Sequence, residues 1–276
     1  MPAGDSAAAQ TSVSQHDPYP HPTAVKLNVG STKSLAEQCA RVHERVYAFL
    51  ARPPRTKRVE QAQRQTRESL AVIGEALQRY SLDALSFSYN GGKDCLVLLI
   101  LYLAALHTDA TTTQNALPPT LESVYIVTPN PFPAVTTFVE RTAAEYHLSL
   151  TQYNQPMREA FASYLQEHPH IKAIFVGTRR TDPHGAKLTH FDPTDHGWPA
   201  FVRIHPVIDW HYADIWGFLR EVGVEYCELY DQGYTSLGGT DDTHPNPVLQ
   251  VEGKEGVFRA AWELVEDDEE RLGRDR

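Results

Sequence analysis

The fold class of this 276-residue chain is decided by the stretch Ser86-Phe87-Ser88-Tyr89-Asn90-Gly91-Gly92-Lys93-Asp94-Cys95. It lies between a short apolar run, Ala84 to Phe87, and a long one, Leu96 to Leu106, and this order predicts a strand, a tight turn and a helix. The two glycines allow a sharp turn and the close approach of a ligand. The first amides of the helix and its positive dipole end point into that turn. With the charge of Lys93 beside them, these groups predict a phosphate-binding loop.

Strands and helices alternate along the chain after this turn. The predicted strands are 84–88, 122–128, 148–153 and 171–176, the predicted helices are 94–107, 134–147, 157–167 and 213–222, and the predicted long loops are 108–119 and 178–206. This alternation predicts an α/β fold with a doubly wound, mostly parallel sheet. Such sheets bind ligands beyond the carboxyl ends of their strands, where the glycine turn and Gly177-Thr178-Arg179-Arg180 both fall.

The flanking segments divide the chain into three predicted parts. Residues 1–33, rich in Ala, Ser, Thr, Pro and Gln, are predicted to be a flexible arm. Ser34-Leu35-Ala36-Glu37 has the form of a capping box and opens the first of two N-terminal helices, of which the second runs from Val59 to Tyr80. Together with the sheet, these helices form a predicted nucleotide-binding domain, residues 34–207. Residues 208–276 are predicted to be a loop-rich subdomain.

The bulk composition restricts the class of function. Hydrophobic residues make up 41% of the chain, and the net charge of −10 arises from 25 basic and 35 acidic residues. This balance argues against a general nucleic-acid surface, which requires clustered Lys and Arg, and no uncharged apolar run approaches the ~18 residues of a membrane span. Cys39, Cys95 and Cys227 form no CxxC pair, the N-terminus has no secretory pattern, and no long heptad requires a dimer. We therefore expect a cytoplasmic monomer that acts on small molecules.

The residue pattern of the glycine turn differs from those of two common nucleotide-binding loops. It has neither the G-x-x-x-x-G-K-[ST] spacing of the Walker loop nor the G-x-G-x-x-G spacing of dinucleotide folds. A lone Gly-Gly after a strand is more often a plain turn, but here Ser88, Lys93 and Asp94 accompany it. The run resembles the PP-loop of ATP pyrophosphatases, S-x-G-G-x-D-S, with Asn90 and Cys95 at positions often held by Ser. That resemblance implies cleavage of ATP between its α- and β-phosphates.

Two further polar segments contain candidate site residues. In the stretch Gly177-Thr178-Arg179-Arg180-Thr181-Asp182-Pro183, the arginines can make forked contacts with phosphate. Pro183 holds Asp182 extended, where its carboxylate can accept hydrogen bonds from a ligand ring. On composition alone, this segment is equally well a solvated polar loop, and the run Glu270-Arg271-Leu272-Gly273-Arg274 is typical of a solvated charged tail.

Taken in order, these segments resemble the fungal-type FAD synthetases, which are FMN adenylyltransferases with a fold like that of phosphoadenylyl-sulfate reductase. The resemblance runs from about residue 84 to the C-terminus, and it is carried by Tyr89 to Cys95, Gly177 to Pro183, Trp198-Pro199, Arg203-Ile204-His205-Pro206, Tyr234 to Gly239 and Glu270 to Arg274. It implies a Rossmann-like PP-loop fold related to the adenine-nucleotide α-hydrolases. It also implies that FMN phosphate attacks the α-phosphorus of MgATP, giving FAD and pyrophosphate without a covalent enzyme intermediate.

The same resemblance assigns roles to individual residues. The implied catalytic residues are Asn90, Asp94, Arg271 and Arg274, the implied phosphate contacts are Ser88, Tyr89, Gly91, Gly92, Lys93, Gly177 and Arg179, and the implied flavin contacts are Asp182, Arg180, Trp198 and Arg203. Asp94 is also expected to order the Mg²⁺ shell, directly or through water, and the C-terminal subdomain to close over flavin and phosphates. From the residues alone, a helix-capping role for Asp94 and a core position for Trp198 stay open, as does retention of the FAD product.

Several alternatives also stay open. The segment Thr128 to Pro133 lacks the acidic residues usual in the family, which places adenine near this strand end through backbone contacts. A phosphoadenylyl-sulfate-reductase-like enzyme needs a nucleophilic cysteine near the C-terminus, and none follows Cys227; the other alternative is a non-catalytic nucleotide-binding module. Cys95 is interpreted as a packing residue rather than a nucleophile. The loop histidines have no common zinc spacing and are interpreted as solvated or supporting groups; they are His184, His190, His196, His205 and His211.

Overall fold

The strands around the glycine turn form one six-stranded sheet in the computed structural model, which describes residues 33–195 and 197–275. The strands are β1 (Leu85–Ser88), β2 (Leu121–Ile126), β3 (Leu148–Tyr153), β4 (Ala173–Phe175), β5 (Phe191–Pro193) and β6 (Val202–Ile204). Their order is β3-β2-β1-β4-β6-β5, and all neighbours are parallel except β5 and β6. The chain proceeds from β1 to β2 and β3 and then returns to the other side of β1 as β4.

Both faces of this sheet are covered by helices. Within the described residues the α-helices are α1 (Leu35–Ala51), α2 (Lys57–Arg79), α3 (Lys93–Thr113), α4 (Pro133–Glu145), α5 (Met157–Glu167) and α6 (Tyr212–Val222). Successive side chains of a strand point to opposite faces; in β2, Tyr125 joins the apolar cluster of α1 to α4 and α6, whereas Val124 joins the cluster of α5. The predicted doubly wound α/β fold is therefore confirmed.

Helix α3 forms the centre of the larger apolar cluster. All side chains from Leu96 to Leu106 are buried, and α1, α2 and α6 pack against the helix. It is the one helix among the described residues that could cross a membrane by length and composition, and 61% of its most apolar window is buried within the fold. It ends at Thr113 rather than at His107 as predicted, and within this last part threonine hydroxyls such as that of Thr111 donate to carbonyls one turn earlier.

The prediction of an unbroken loop from Thr178 to Pro206 is wrong, because this segment contains β5 and β6. Val202 and Ile204 pair in parallel with β4, and β5 pairs antiparallel with β6. Each of the two strands has three residues, which is too short for an alternating pattern to be recognised in sequence. Pairing with the preformed sheet, rather than local propensity, produces them.

The two ends of the chain differ in how far the predictions can be compared with the structure. The capping box is confirmed, because Ser34 Oγ accepts the Glu37 N–H at 3.3 Å and the Glu37 carboxylate accepts the Ser34 N–H at 2.7 Å. The predicted flexible arm, residues 1–33, lies outside the described residues except for Lys33. After α6 the described chain forms only short 3₁₀ turns, loops and isolated bridges. The division at residue 207 stays a prediction.

Candidate active site

The glycine turn has the geometry that its sequence requires. Gly91 has a φ of +73°, and a Cβ at this position would lie 2.7 Å from a methyl group of Val139, so a side chain here would be both strained and crowded. Asn90 Oδ1 accepts the Gly92 N–H at 2.9 Å, and the hydroxyl of Tyr230 accepts the Lys93 N–H at 2.9 Å. The backbone amides of Gly92 and Lys93, which were expected to bind phosphate, therefore donate to groups of the protein. Fewer backbone amides of the turn are free to bind an anion than predicted.

A cleft of about 740 Å³ opens beside this turn. Its walls come from the chain that follows the carboxyl ends of β1, β2, β3 and β4, together with two C-terminal segments. The polar and glycine residues that line it include Asn90, Gly92, Lys93, Asp94, Asn154, Gln155, Gly177, Asp182, Tyr230, Ser236, Gly238, Glu270 and Arg271. This is where an open α/β sheet binds its ligand, next to the strand at which the chain reverses its direction across the sheet.

Four charged side chains form a closed ring at the base of the cleft. Lys93 Nζ contacts Asp94 Oδ2 at 3.0 Å and also Glu270 Oε1. Arg179 Nε contacts Asp94 Oδ1 at 2.8 Å, and its Nη2 contacts Glu270 Oε2. Each cation thus bridges the same two carboxylates, and the charges within this ion-pair ring balance. The ring joins the start of α3, the loop after β4 and the C-terminal segment, residues 267–275.

Because the ring is buried, each of its charged groups is stabilised by the opposite charges beside it rather than by water. The side chains of Lys93 and Arg179 are 2% and 0% exposed, so neither cation is solvated. Burial alone raises the pKa of Asp94, but the charges of Arg179 and Lys93 outweigh it and hold that pKa below its ordinary value. Removal of one member would leave one buried charge of the ring uncompensated.

Two more carboxylates surround Arg179. Asp182 Oδ2 accepts the Arg179 backbone N–H at 2.8 Å, and its other oxygen lies 3.6 Å from the guanidinium. Burial, followed by the nearby charge of Asp94, raises the pKa of Asp182. Asp267 lies 3.6 Å from Arg179 Nη1 and accepts the Tyr212 N–H at 2.6 Å. Asp182 faces the cleft and is the carboxylate of this pair that a ligand can reach.

The structure brings about half of the predicted site residues into the cleft. Those that line it are Asn90, Gly92, Lys93, Asp94, Gly177, Asp182 and Arg271. The glycine at 177 is required by packing, because a Cβ there would lie 2.8 Å from the backbone nitrogen of Cys95. Arg271 is exposed and has no ion pair within residues 33–195 and 197–275. It is therefore the cleft arginine that can meet an anionic ligand.

Other predicted phosphate contacts lie behind the cleft wall. Ser88, the last residue of β1, and Gly91, in the turn, do not line the cleft. The ring of Tyr89 is fully buried and its hydroxyl hydrogen-bonds to Thr142 at 2.8 Å; it does not line the cleft, and its phosphate role stays a prediction. The buried guanidinium of Arg179 is engaged by the carboxylates of the ion-pair ring, and its phosphate role stays a prediction as well.

Three predicted flavin contacts also lie outside the cleft. Arg180 pairs with Asp209 at 2.7 Å and donates to two loop carbonyls, those of residues 186 and 188. Trp198 is 37% exposed and packs beside Phe161, with ring centroids 6.3 Å apart, so it is not a core residue. Arg203 lies on β6, with Nη2 3.5 Å from a carbonyl of β5. The structure does not bring these three residues together with Asp182.

Arg274 lies next to the cleft rather than on its surface. A Cβ at Gly238, which lines the cleft, would fall 2.3 Å from Cζ of Arg274. The guanidinium is therefore packed directly against the Gly238 backbone, and it pairs with Asp242 at 2.9 Å. Asn130, in the loop after β2, bonds to Asp241 and accepts the Thr240 N–H at 2.8 Å. These contacts fasten residues 236–243 across the cleft opening.

Sequence reasoning missed several residues of this site. The C-terminal motif contains Glu270 but assigns it no role, and Tyr230 lies in none of the motifs. The signal for Glu270 was its place beside Arg271 in a charged run; the hydroxyl of Tyr230 gave no local signal, because its partner Lys93 is 137 residues away. Met157, 58% exposed at the start of α5, lines the cleft as well.

The thiols and imidazoles near the cleft are poor nucleophiles or bases. Cys95 lines the cleft, but burial raises the pKa of its thiol to about 12. His205 is 1% exposed, and burial lowers its pKa to about 4. All three cysteines are free and buried. Within the described residues, no group of three or more His, Cys, Asp or Glu side chains is placed to hold a metal ion.

Comparisons with known proteins agree with this geometry. The family described as the phosphoadenosine phosphosulfate reductase domain matches residues 84–170 and 155–245. A probable FAD synthase of Schizosaccharomyces pombe is 38% identical over 238 residues, which are 86% of this chain and 89% of the relative.

Solved structures extend the similarity to three dimensions. The crystal structure of Candida glabrata FMN adenylyltransferase with FAD and inorganic pyrophosphate has a TM-score of 0.82 and 31% identity, covering 88% of this chain and 98% of that one. The same enzyme with FMN and the ATP analogue AMPCPP has a TM-score of 0.81 and 30% identity, covering 88% and 98%.

Proposed function

The chain belongs to the FAD synthase family, and we propose from this membership and from the cleft that it is an FMN adenylyltransferase. It transfers the adenylyl group of MgATP to the phosphate of FMN, giving FAD and pyrophosphate. The observation that carries the proposal is the meeting of the glycine turn, Asp182 and Arg271 around one cleft of about 740 Å³. A volume of this size suits a ligand as large as a dinucleotide.

The arrangement suits a reaction without a covalent intermediate. The nucleophile, an oxygen of FMN phosphate, is already an anion, so no side chain has to be deprotonated. The Cys95 thiol, with its pKa of about 12, and the neutral His205 would serve poorly in such a role. Catalysis must then come from alignment of the two phosphates and from neutralisation of charge at the α-phosphorus.

Individual residues have separate tasks in this proposal. Asn90 holds the glycine turn closed, and the first turn of α3 directs its dipole at the phosphates. Arg271 supplies the free positive charge. Asp182 accepts hydrogen bonds from the flavin ring. The end of β2 and the residues after it, Tyr125 to Pro129, line the cleft and receive adenine through their backbone.

Magnesium enters this proposal as part of the nucleotide substrate. The oxygens of Asp94 and Glu270 already contact cations of the ion-pair ring, so the residues present form no all-protein cage. They fit a Mg²⁺ ion that keeps several waters and phosphate oxygens and takes Asp94 as one carboxylate, directly or through water. When bound, the ion neutralises charge on the phosphates. Localisation and assembly belong to the proposal as well, and we propose a cytoplasmic monomer.

The reaction itself tests the proposal. Purified protein incubated with FMN, ATP and Mg²⁺ should form FAD and pyrophosphate in equal amounts, followed by chromatography and a pyrophosphate assay. With EDTA in place of Mg²⁺, formation should fall to background. No FAD at saturating substrate, or release of sulfite from phosphoadenylyl sulfate in a parallel reaction with a thiol reductant, would overturn it in favour of a binding module or a reductase.

A further inference from the structure

We infer that Glu270 is a positioning residue for adenylyl transfer: it fixes the C-terminal segment to the base of the cleft and thereby orients Arg271. The inference rests on the proposed function, and it assigns a role in the reaction to a side chain that need not touch substrate. It is carried by the contacts of Glu270 and by the environment of its neighbour.

Glu270 is the point at which the C-terminal segment is bound to the sheet. Its two carboxylate oxygens are divided between Lys93 and Arg179, and its own backbone carbonyl accepts the hydroxyl of Thr235 at 2.6 Å. The side chain is 6% exposed. A carboxylate held by two buried cations, which are themselves fixed by Asp94, has little freedom to move.

The neighbouring Arg271 has the opposite environment. It is exposed, it lines the cleft, and no carboxylate within the described residues pairs with it. Consecutive Cα atoms are about 3.8 Å apart. The anchored Glu270 therefore restricts the position of the Arg271 backbone. On the other side of Arg271, the Gly273 carbonyl accepts the His244 N–H at 2.8 Å, and Arg274 forms a β-bridge with Thr243. Arg271 thus projects from a short span of chain that is fastened at both ends.

The energetic consequence separates Glu270 from an ordinary buried acid. Charge stabilisation at a phosphoryl-type transition state depends on groups that are already in place when charge develops. An Arg271 that had to be ordered during the reaction would contribute less. Substitution of Glu270 should therefore lower kcat, and most of this decrease should arise because Arg271 is no longer held in position.

A double-mutant cycle tests this coupling. In the intact protein with saturating FMN and MgATP, Glu270→Gln should lower kcat by about 10- to 100-fold, a part of the ~10²- to 10³-fold effect typical of one charge-stabilising donor. KM for FMN should stay within about twofold. When Arg271 is already alanine, the same Glu270→Gln change should cost less than about threefold, because its effect acts through the missing guanidinium. The exposed Glu266→Gln, directly before the C-terminal segment and with the same change of charge, is the control that should leave kcat unchanged.

A second readout does not depend on activity. Trypsin should cleave after Arg271 faster in Glu270→Gln than in the wild type, measured by mass spectrometry relative to cleavage after the exposed Lys254. If Glu270→Gln fails to fold, Thr235→Val is the second variant: it removes the hydroxyl that donates to the Glu270 carbonyl and accepts from the Asn246 amide, which keeps its bond to the Glu269 carbonyl. It leaves the charges of the ring intact and should increase cleavage after Arg271 and lower kcat by less than Glu270→Gln does. Thr235→Ser, which keeps the hydroxyl, is its control.

The outcomes separate this inference from the proposed function. Wild-type protein that makes no FAD overturns the function. Wild-type protein that makes FAD, with Glu270→Gln equally active or with an equal loss of kcat in both Arg271 backgrounds, overturns the inference alone. Unchanged tryptic cleavage after Arg271 in the folded variant would overturn it too.

Discussion

The two walls of the cleft are built in different ways. On one side, the glycine turn and the start of α3 follow one another in sequence, and the left-handed Gly91, the Asn90 link and the helix dipole arise within a few residues. On the other side, residues 236–243 and 267–275 form no α-helix and are held by side chains that reach far along the chain. Lys93 and Glu270, which join the walls, are 177 residues apart.

This difference indicates which wall tolerates substitution. A turn made by local geometry keeps its shape when a distant contact is lost. A loop held by ion pairs and close packing loses its position when one partner changes, although the fold persists. Substitutions at the ion-pair ring, at the loop glycines and at the outward-facing Arg180 should therefore rank in that order in their effect on catalysis.

The largest effect is expected at Asp94. Asp94→Asn keeps the shape of the side chain but removes one of the two negative charges that hold Lys93 and Arg179 in the ion-pair ring. FAD formation should fall by at least about 10³-fold, since both the charge balance and the carboxylate near the phosphates are lost. Chromatography of FAD in reactions quenched at fixed times measures the rate, and thermal unfolding of the same sample measures the stability.

Its control is Asp83→Asn, an exposed carboxylate just before β1, at the amino end of the strand whose carboxyl end leads into the glycine turn. That variant should retain wild-type turnover. If Asp94→Asn also retained it, Asp94 would have no place in the site. If both activity and cooperative unfolding were lost, the ring would be required for folding rather than for the reaction.

A smaller effect is expected where Gly238 meets Arg274. The added methyl of Gly238→Ala would fall 2.3 Å from Arg274 Cζ, and the end of this flexible side chain can move away. Stability should change by less than about 1 kcal/mol, as for most changes that a side chain can absorb, while kcat should fall by about tenfold, because the guanidinium loses its position. Steady-state kinetics and denaturant unfolding together check this separation.

The substitution Gly239→Ala, at the adjacent position, is the matched comparison, and it should lower stability where Gly238→Ala does not. Here the new methyl would lie 2.4 Å from the Pro129 backbone carbonyl, which cannot move without displacing the loop after β2. We expect a loss of stability of about 1–3 kcal/mol, as for overpacking in general, together with any loss of rate. Equal effects of the two variants on stability would show that Arg274 is no more movable than the backbone.

The parts of the fold that could be predicted are those determined by local pattern. The capping box at Ser34, the alternation of strands and helices, and the turn from Asn90 to Lys93 each depend on residues within one or two turns of the chain. Strand β3 and helix α5 were predicted with their observed bounds, Leu148–Tyr153 and Met157–Glu167. Strands β5 and β6 were not, since only the pairing of β6 with β4 and of β5 with β6 defines them.

The adjacent arginines 179 and 180 show why the site could be predicted only in part. Their sequence context is nearly the same, and both were expected to face ligands. Arg179 is buried because it meets Glu270, 91 residues away, whereas Arg180 turns outward to Asp209, 29 residues away. Neither partner is marked by spacing or composition, so burial and orientation become known only from the folded structure.

The smallest effect is therefore expected at Arg180. Its guanidinium is bonded to Asp209 and to two carbonyls of its own loop, it is largely exposed, and it does not line the cleft. Arg180→Ala should change KM for FMN by less than about threefold, since an exposed ion pair contributes only ~0.2–1 kcal/mol, and kcat should be unaffected. Asp209→Ala breaks the same pair from the other side and should match it. A loss of FMN affinity confined to Arg180→Ala would mean that this arginine leaves Asp209 to bind flavin, and the flavin end of the site would then extend beyond the cleft.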